Sequence, residues 1–599
     1  MKGFRKNYIE KKRKIFEKIL FSMPIMNILV CNVENKKEEE LKQEIEDLKK
    51  QIEKLKSKKK YGIVWDDKRD PEKVVLQCNK KIPILVEDKN KVINGDKKRY
   101  NVLIEGDNYH ALCVLSYTHS GMIDVIYIDP PYNTGKANEW KYNDKYVDKE
   151  DEYRHSKWLN MMEKRLRLAR KLLSNNGVIF ISIDDNEVAQ LKLLCDEIFG
   201  ENNRAAIFNW KSRSSLQYSE PLVSSQTEYV LMYCKNKNKW GKKLLKLNKV
   251  KKETDGLIYS NPDKDPLGKW TSSGLIRDDG RKKYKIVTPS GKEHVEAWLY
   301  TKENMDKFEK ENILWFGEKG DALPRKKSYW KDYKGRTSSN LLKDEFIFFE
   351  NENGIIKKKK LFTIGTTEAG TKELKEIFND KRTPFDYPKP HTLIKYFLSL
   401  YPKKDLISLD FFAGSGTTGH AVLALNKEDG GNRKFILCTN NEGKICTDVC
   451  YPRLKKVIDG YTKPNNTLED GLGGSLKYYK TDFVDINSLE GITDEEKLKI
   501  TYRAGEMIAV KEDTLNEVET TDYWQIFSNG KKTTAIYFRE NISKIYELVE
   551  SIKEDKKVIL YIFGWGKNEY VNEFIEYENI EVRDIPEPII EVYRGVNKL

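Results

Sequence analysis

The residues Met122-Ile123-Asp124-Val125-Ile126-Tyr127-Ile128 form an apolar run with the length and β-branched content of a buried strand, and the run ends on Asp129-Pro130-Pro131-Tyr132. The carboxyl edge of such a strand carries one carboxylate, carbonyls next to peptide nitrogens that bear no hydrogen, and a flat aromatic face. Together these groups accept both hydrogens of an exocyclic amino group and stack the ring that carries it. That is what methylation of an amino group on a nucleobase requires.

The surroundings of this run alternate. Val102-Leu103-Ile104 reads as a strand closed by Gly106-Asp107-Asn108, and Ala111, Leu112, Val114 and Leu115 suit a helix. Beyond the tetrapeptide, Trp158, Leu159, Met162, Leu166, Leu172 and Leu173 recur at helical spacing. Gly177 then precedes Val178-Ile179-Phe180-Ile181-Ser182-Ile183, a strand that stops at Asp184-Asp185. Strand and helix in this rhythm predict a parallel α/β sheet. From about residue 210 to 385 the rhythm breaks into Lys, Arg, Ser, Gly and aromatic residues, among them Trp210, Trp270, Tyr284, Trp298, Trp315, Tyr329 and Trp330. It resumes with Phe385-Asp386-Tyr387-Pro388-Lys389-Pro390 and a helix near His391. The strand Leu406-Ile407-Ser408-Leu409 then runs into Asp410-Phe411-Phe412-Ala413-Gly414-Ser415-Gly416-Thr417-Thr418-Gly419, and a further strand lies at Phe435-Ile436-Leu437-Cys438.

These shifts divide the chain into an N-terminal helical or coiled-coil segment (1–60), a first core part (61–209), an insert (210–384), a second core part (385–476) and a small C-terminal α/β domain (477–599). Leu41, Ile45, Leu48, Ile52 and Leu55 repeat as the a and d positions of a short coiled coil, a solvated single helix being the alternative. A chain of 599 residues is too long for one core. Its 11% aromatic content argues for packed cores beneath a very polar surface, since 34% of residues are charged. The net charge of +14 fits a polyanion partner as well as a generally Lys-rich composition. The eight Cys are scattered; Cys446 and Cys450 lack a second pair and a neighbouring His, so they read as one helix face rather than metal ligands, and no metal is expected. No disulfide framework is visible, which points to a reducing, cytoplasmic location. The apolar stretch 19–30 superficially resembles a signal peptide, but Pro24 and Asn27 interrupt it and it is too short to span a bilayer, so no membrane association is expected. Met26 is the expected start of translation.

The turn after Leu409 has the geometry of a nucleotide-type cofactor loop, with glycines that let a ligand approach the backbone. It is not a phosphate-binding Walker A loop, because no Lys-Ser/Thr follows. Together with Asp129-Pro130-Pro131-Tyr132 it resembles the signature motifs of S-adenosylmethionine-dependent amino-methyltransferases acting on DNA. The order, with the tetrapeptide first, the insert next and the Gly-rich turn last, matches the β group of those enzymes, in which the insert is the target recognition domain. Asp rather than Ser at position 129 implies N6 of adenine. Further stretches are similar to the Mod subunit of type III restriction systems and its solitary relatives: Ile104-Glu105-Gly106-Asp107-Asn108, Pro131-Tyr132-Asn133-Thr134-Gly135, Gln226-Thr227-Glu228-Tyr229-Val230-Leu231 and Asn261-Pro262-Asp263-Lys264-Asp265-Pro266-Leu267-Gly268-Lys269-Trp270. Gln226 stands where similar proteins often carry His.

The resemblance implies a Rossmann-like methyltransferase sheet with S-adenosylmethionine as methyl donor. Asp129 and the carbonyl of Pro130 would accept the two N6 hydrogens, Pro131 belongs to the same catalytic motif, and Tyr132 would stack on a base flipped out of the duplex. Asp410, Phe412, Gly414, Gly416 and Thr417 would line the cofactor, with Lys389 and Pro390 beside it. Asp107 would take its adenine end and Glu442, in competition with Asn440, its ribose. Lys211, Arg213, Arg277, Arg281, Lys282, Lys283, Arg325, Lys326 and Lys327 are candidate contacts to double-stranded DNA. A homodimer is expected. Any cleavage or ATP-driven step needs a separate restriction subunit, because no Walker A sequence or nuclease cluster is present. An N4-cytosine or RNA amino-methyltransferase, and a non-catalytic DNA-recognition subunit, remain as alternatives.

Overall fold

Unbroken apolar runs become central strands here, and the polar stretches between them become helices or edges. The computed structural model describes residues 65, 72–95, 100–135, 153–215, 223–239, 260–277, 282–332, 339–342, 345–350, 356–539, 542–565, 570 and 572–597. The heptad repeat and Met26 lie outside the described residues.

The chain first lays down β1 (Lys81–Glu87), β2 (Asn101–Glu105), α1 (Asn108–Thr118), β3 (Ile123–Ile128), α2 (Arg154–Leu172), β4 (Leu173–Ile183), α3 (Val188–Cys195), β5 (Arg204–Lys211) and β6 (Thr227–Cys234). A separate lobe follows, with β7 (Trp270–Gly274), β8 (Tyr284–Val287), β9 (Glu293–Glu296), α4 (Lys302–Lys310), β10 (Leu314–Trp315) and β11 (Arg325–Tyr329). The short β12 (Leu341–Leu342) and the hairpin β13 (Glu345–Glu350) and β14 (Ile356–Phe362) lead back to α5 (Thr367–Phe378), α6 (His391–Leu400), β15 (Ile407–Asp410), α7 (Thr417–Asp429), β16 (Lys434–Thr439) and α8 (Tyr451–Asp459). After the small hairpin of β17 (Gly460–Thr462) and β18 (Leu468–Asp470), β19 (Leu476–Asp485) returns to the main sheet.

Among the described residues, ten strands form that sheet in the order β1-β19-β2-β16-β15-β3-β4-β6-β5-β12. The strands from β19 to β4 run parallel, and β6 and β1 pair antiparallel at either flank. The expected alternation therefore gives a mixed α/β sheet with a parallel centre. From β3 the chain moves outward to β4, and from β15 it moves outward the other way to β16. The β15–β3 pair is thus a topological switch point, where the crossover helices leave a crevice at the carboxyl ends of the strands. Ser408 pairs with Val125 and Leu409 with Ile126, so the two key motifs leave the sheet side by side.

Four segments enter this sheet from regions where the sequence reads otherwise, one of them the short β12 from the insert. The polar lead-in supplies β1, whose Pro83 is tolerable because β1 is an edge strand. The stretch assigned to the insert supplies β6, whose residues Val230 to Cys234 are all buried although the strand opens on the polar Thr227-Glu228. β19 carries the sheet past residue 477 to Asp485.

The lobe between β7 and β11 has its own small core of Leu275, Ile286, Trp298, Met305, Leu314 and Phe316. The C-terminal region adds α9 (Asp494–Arg503), α10 (Gly505–Glu512), β20 (Asn516–Thr520), β21 (Trp524–Ser528), β22 (Thr533–Tyr537), α11 (Ile545–Ile552), β23 (Val558–Phe563), β24 (Ile580–Ile585) and α12 (Glu587–Asn597). Its five strands lie in sequence order, with a core that includes Trp524, Tyr537, Leu548 and Leu560. Every residue of α1 is buried, and both α10 and α12 pack against it. The Tyr593 hydroxyl on α12 donates to the Pro83 carbonyl at 2.5 Å, which ties this region to β1. Among the described residues no helix is long and apolar enough to cross a membrane.

Candidate active site

At the carboxyl ends of β3 and β15 lies a cavity of ≈ 500 Å³. Asp129, Pro130 and Pro131 form one wall, and Asp410, Phe412, Ala413, Gly414, Ser415 and Thr417 another. The segment 383–387 with Lys389 closes a third side, and Gly443 and Ile445 the far end.

The turn after β3 is held from behind. Trp158 Nε1 on α2 donates to the Pro131 carbonyl at 2.7 Å. Asn133, in the left-handed region at φ 58°, donates from Nδ2 to Glu187 Oε1 at 2.5 Å, and that oxygen also meets His155 Nδ1 at 2.6 Å. Glu187 is fully buried, and burial pushes its carboxyl up against the pull of Asn133 and His155. These bonds fix the direction in which Asp129 and Pro130 face the cavity.

Asp129 itself is engaged from two sides. Lys389 Nζ lies 3.0 Å from each of its carboxylate oxygens, and the Tyr132 hydroxyl donates to Oδ1 at 2.8 Å. The same hydroxyl lies 3.0 Å from Glu228 Oε2 on β6, and Lys389 Nζ is 3.5 Å from that oxygen. The ammonium also stands 4.9 Å from the centre of the Tyr132 ring and 5.8 Å from that of the buried Trp210 on β5. Burial alone would favour neutral Lys389, but Asp129 and Glu228 reverse this and its pKa is raised. Burial and the same two carboxylates push the Tyr132 phenol well above its ordinary range, so it remains a donor.

On the other wall, Asp410 accepts the Phe412 amide at 3.0 Å and the Thr418 hydroxyl at 2.5 Å. Burial nevertheless pushes its carboxyl up to about 7. Gly414 and Gly416 both have positive φ, 50° and 80°. A Cβ on Gly416 would sit 3.0 Å from Cys450 Sγ, and one on Gly414 3.1 Å from the Phe385 ring, so the loop needs glycine for conformation and for space. Beneath the loop, the buried Arg453 of α8 donates to Thr417 Oγ1 at 2.7 Å and Ser415 Oγ at 3.0 Å, and its other terminal nitrogen meets Glu373 Oε1 of α5. Glu373 also takes His391 Nδ1 at 2.6 Å and His420 Nδ1 at 3.0 Å, and the two imidazoles stack at 4.3 Å. Burial opposes ionisation of Glu373, yet the two His hold its carboxyl well below the usual range, while burial lowers His420 to about 4. Glu373, His391 and His420 have the spacing of a metal trio, but the Arg453 guanidinium already supplies the cation facing this carboxylate. The cluster is a brace for the Gly-rich loop.

Of the residues expected at the site, Asp129, Pro130, Pro131, Lys389, Asp410, Phe412, Gly414 and Thr417 line the cavity. Tyr132 stands behind Asp129, with the Lys389 ammonium, not open space, over its ring. Gly416 and Pro390 are the N-terminal caps of α7 and α6. Asp107 does not line the cavity; it caps α1 by accepting the Tyr109 amide at 2.7 Å and lies 3.8 Å from Arg165. Glu442 is exposed on the turn after β16, and Asn440 is half-buried beside it; neither lines the cavity, whereas their neighbours Gly443 and Ile445 do. Cys446 and Cys450 are free and buried in the helical segment 445–459.

Among the candidate DNA contacts, Lys327 is a correction. Its side chain is fully buried and bonds Asp263 at 2.5 Å and Asp265 at 2.7 Å, so it holds the lobe together and is not available to a phosphate. Lys326 lies over the rings of Phe308 at 4.0 Å and Tyr300 at 4.7 Å. Lys211, Arg277, Lys282, Lys283 and Arg325 are exposed and Arg213 is half-buried, while Arg281 is outside the described residues. Glu228, Glu373 and Arg453 carry roles that the sequence reading did not assign. Glu228 had a signal, an acidic residue opening an otherwise buried strand. Arg453 had none, since one Arg in an amphipathic helix ordinarily faces water.

Residues 123–449 match the family model described as a DNA methylase (N6_N4_Mtase). The chain is 36% identical over 388 residues to the type III restriction-modification enzyme StyLTI Mod subunit of Salmonella typhimurium, covering 60% of this chain and 55% of that protein. It is 30% identical to the EcoP15I Mod subunit of Escherichia coli, covering 59% and 60% of the two chains. It is 31% identical to the type II methyltransferase M.KpnI of Klebsiella pneumoniae, covering 63% and 90%. The chain thus spans little more than half the length of the two Mod subunits. Among solved structures, that of the M1.HpyAVI–SAM complex aligns at 14% identity and a TM-score of 0.25, over 59% of this chain and 98% of that one. The family match runs from β3 through β15 to Val449, so it takes in both strand ends that build the cavity, and the chain belongs to the DNA methylase family.

Proposed function

We propose that this chain transfers a methyl group from S-adenosylmethionine to N6 of adenine in double-stranded DNA, as the modification component of a type III-like restriction-modification system or a solitary relative. The observation that carries this reading is the single cavity into which Asp129-Pro130 and the loop from Phe412 to Thr417 both open. The residues fit the cofactor: the loop presents glycine backbone, Phe412 an aromatic face, and Asp410 a buried carboxylate suited to a cationic ligand. When bound, the cofactor supplies an electrophilic methyl on a sulfonium.

The chain's own groups position and polarise the base. Asp129 accepts one hydrogen of the adenine amino group and the Pro130 carbonyl the other. Both bonds draw the nitrogen towards a pyramidal form whose lone pair is no longer spread into the ring. Trp158 and Asn133 keep the two acceptors aimed, so no rearrangement is needed at the moment of transfer. An adenine inside a duplex cannot reach this crevice and must be flipped out. In this reading the lobe between β7 and β11 serves as target recognition region, a second copy and a separate ATPase/nuclease subunit are the protein partners, and the lysines and arginines on the lobe's surface meet phosphate.

Incubation with tritiated cofactor and unmethylated DNA, followed by nucleoside mass spectrometry, tests the proposal. N6-methyladenine is the expected product. N4-methylcytosine, a methylated ribonucleoside, or no transfer at all would each replace this reading. Single-molecule sequencing of host DNA with and without the gene would then give the modified base and its sequence context.

A further inference from the structure

The ammonium of Lys389 occupies the place where a substrate amino group has to donate. It lies 3.0 Å from both oxygens of Asp129. A fixed cation there opposes the reaction, because the nitrogen that receives a methyl group becomes positive before it loses its proton, and like charges a few ångströms apart repel strongly in a buried site. Lys389 therefore has to leave Asp129 as the base arrives. The structure already contains the place to which it goes. Glu228 Oε2 is 3.5 Å from the same ammonium, and the Tyr132 hydroxyl bridges the two carboxylates at 2.8 and 3.0 Å. That hydroxyl has one proton. Once the ammonium is on Glu228, the phenol serves Asp129 Oδ1 alone, and Oδ2 is free for the incoming N–H.

Resting on the methyltransferase reading above, we propose that Lys389 is a built-in stand-in for the amino group of the target base, and that Glu228 is the positioning carboxylate that receives its ammonium when the base enters. The exchange keeps a hydrogen-bond donor on each carboxylate at each stage, which an empty Asp129 would not. It also screens the base. Adenine or cytosine offers Asp129 a donor in place of the ammonium; thymine offers a carbonyl, which cannot displace it.

The test compares Glu228→Gln, Lys389→Met and the double variant in the tritium assay, with cofactor affinity measured by calorimetry on the same samples. Glu228→Gln strands the ammonium on Asp129, so kcat is expected to fall roughly 10- to 100-fold, the effect of one lost charge-assisted hydrogen bond, with cofactor affinity unchanged. Adding Lys389→Met to Glu228→Gln removes the stranded ammonium and is expected to restore much of that loss. A merely structural role for Glu228 would not give such rescue. A double variant no faster than Glu228→Gln overturns the proposal, as does Lys389→Met alone weakening cofactor binding tenfold or more. If Lys389→Met does not fold, Lys389→Gln makes the same comparison. The wild-type rate tells the two failures apart: no transfer by the wild type sinks the methyltransferase reading, whereas transfer without rescue sinks only the exchange.

Discussion

Asp129 and Asp410 line one cavity from the ends of the neighbouring strands β3 and β15, and their surroundings differ. Asp129 is partly open and, in the proposed reaction, faces the base. Replacing it by Ala removes one of two acceptors for the amino group, and kcat is expected to fall by at least about 10²-fold with cofactor affinity retained, as for loss of a preorganised electrostatic contact. Methyl incorporation measured beside calorimetry checks this, and an unchanged rate would remove Asp129 from the chemistry. Asp410 is closed off, and burial pushes it up to about 7. In the unfolded chain an Asp titrates near about 3.9, so between these values the folded chain holds a proton that the unfolded chain has released. The sign follows: stability is greatest at acid pH on this account and declines as pH rises from about 4 through 7. The urea midpoint of the wild type should therefore drop with rising pH relative to Asp410→Asn. A cationic cofactor in the cavity would favour the ionised carboxylate, so in the proposed function cofactor affinity should rise as pH approaches about 7 and level off above it in the wild type, and not in Asp410→Asn. A difference between the two proteins that stays flat with pH would exclude both effects.

Four helices meet at Arg453, and that meeting shapes the Gly-rich loop. Arg453 on α8 reaches Ser415 ahead of α7 and Thr417 at its first position, and through Glu373 on α5 it connects to His391 on α6 and His420 on α7. Arg453→Met leaves Glu373 buried without its guanidinium and is expected to cost about 3–5 kcal/mol in a urea titration, the usual cost of breaking a buried ion pair on one side. Arg453→Met combined with Glu373→Gln should recover part of that, because no charge is then stranded. Equal losses in the single and double variants would show that the pair is not coupled. This brace was not legible in the sequence: α5, which carries Glu373, lies inside the stretch read as the insert (210–384), whereas the helix near His391 and the strands β3 and β15 were legible. β3 and β15 announce themselves by apolar runs that end on Asp-Pro-Pro-Tyr and on closely spaced glycines, because buried strands admit few other residues. Which strands are neighbours is set by long-range pairing, and no local pattern encodes it. For the same reason Glu228 reads as the polar start of a strand until β6 is seen beside β4, and the bond from Lys389 to Asp129 appears only once the fold brings their segments together.

At the scale of the whole molecule, the excess of basic residues has to be divided between those that hold the protein together and those left for a polyanion. The lobe between β7 and β11 shows both kinds a few residues apart. Lys327 is spent on Asp263 and Asp265, and Tyr329 adds its hydroxyl to Asp265 at 2.8 Å. Lys282, Lys283 and Arg325 are exposed on the same lobe. A phosphate contact releases counterions, so each residue that makes one contributes about 0.9 to the slope of log affinity against log salt. Alanine at Lys282, Lys283 or Arg325 should lower that slope by about one such step each where the residue meets DNA, leaving the melting of the lobe unchanged. Lys327→Ala should do the opposite. It leaves the buried Asp265 and the half-buried Asp263 without their shared cation, costs up to about 3–5 kcal/mol and loosens the lobe, so that DNA affinity falls without a characteristic change in slope. Anisotropy titrations at several salt concentrations, with Trp fluorescence following the lobe through Trp270, 5.3 Å from the Lys327 ammonium, separate the two outcomes. A reduced slope for Lys327→Ala with an intact melt would return that residue to the DNA surface. Unchanged slopes for all three exposed residues would move the DNA-binding surface off this lobe.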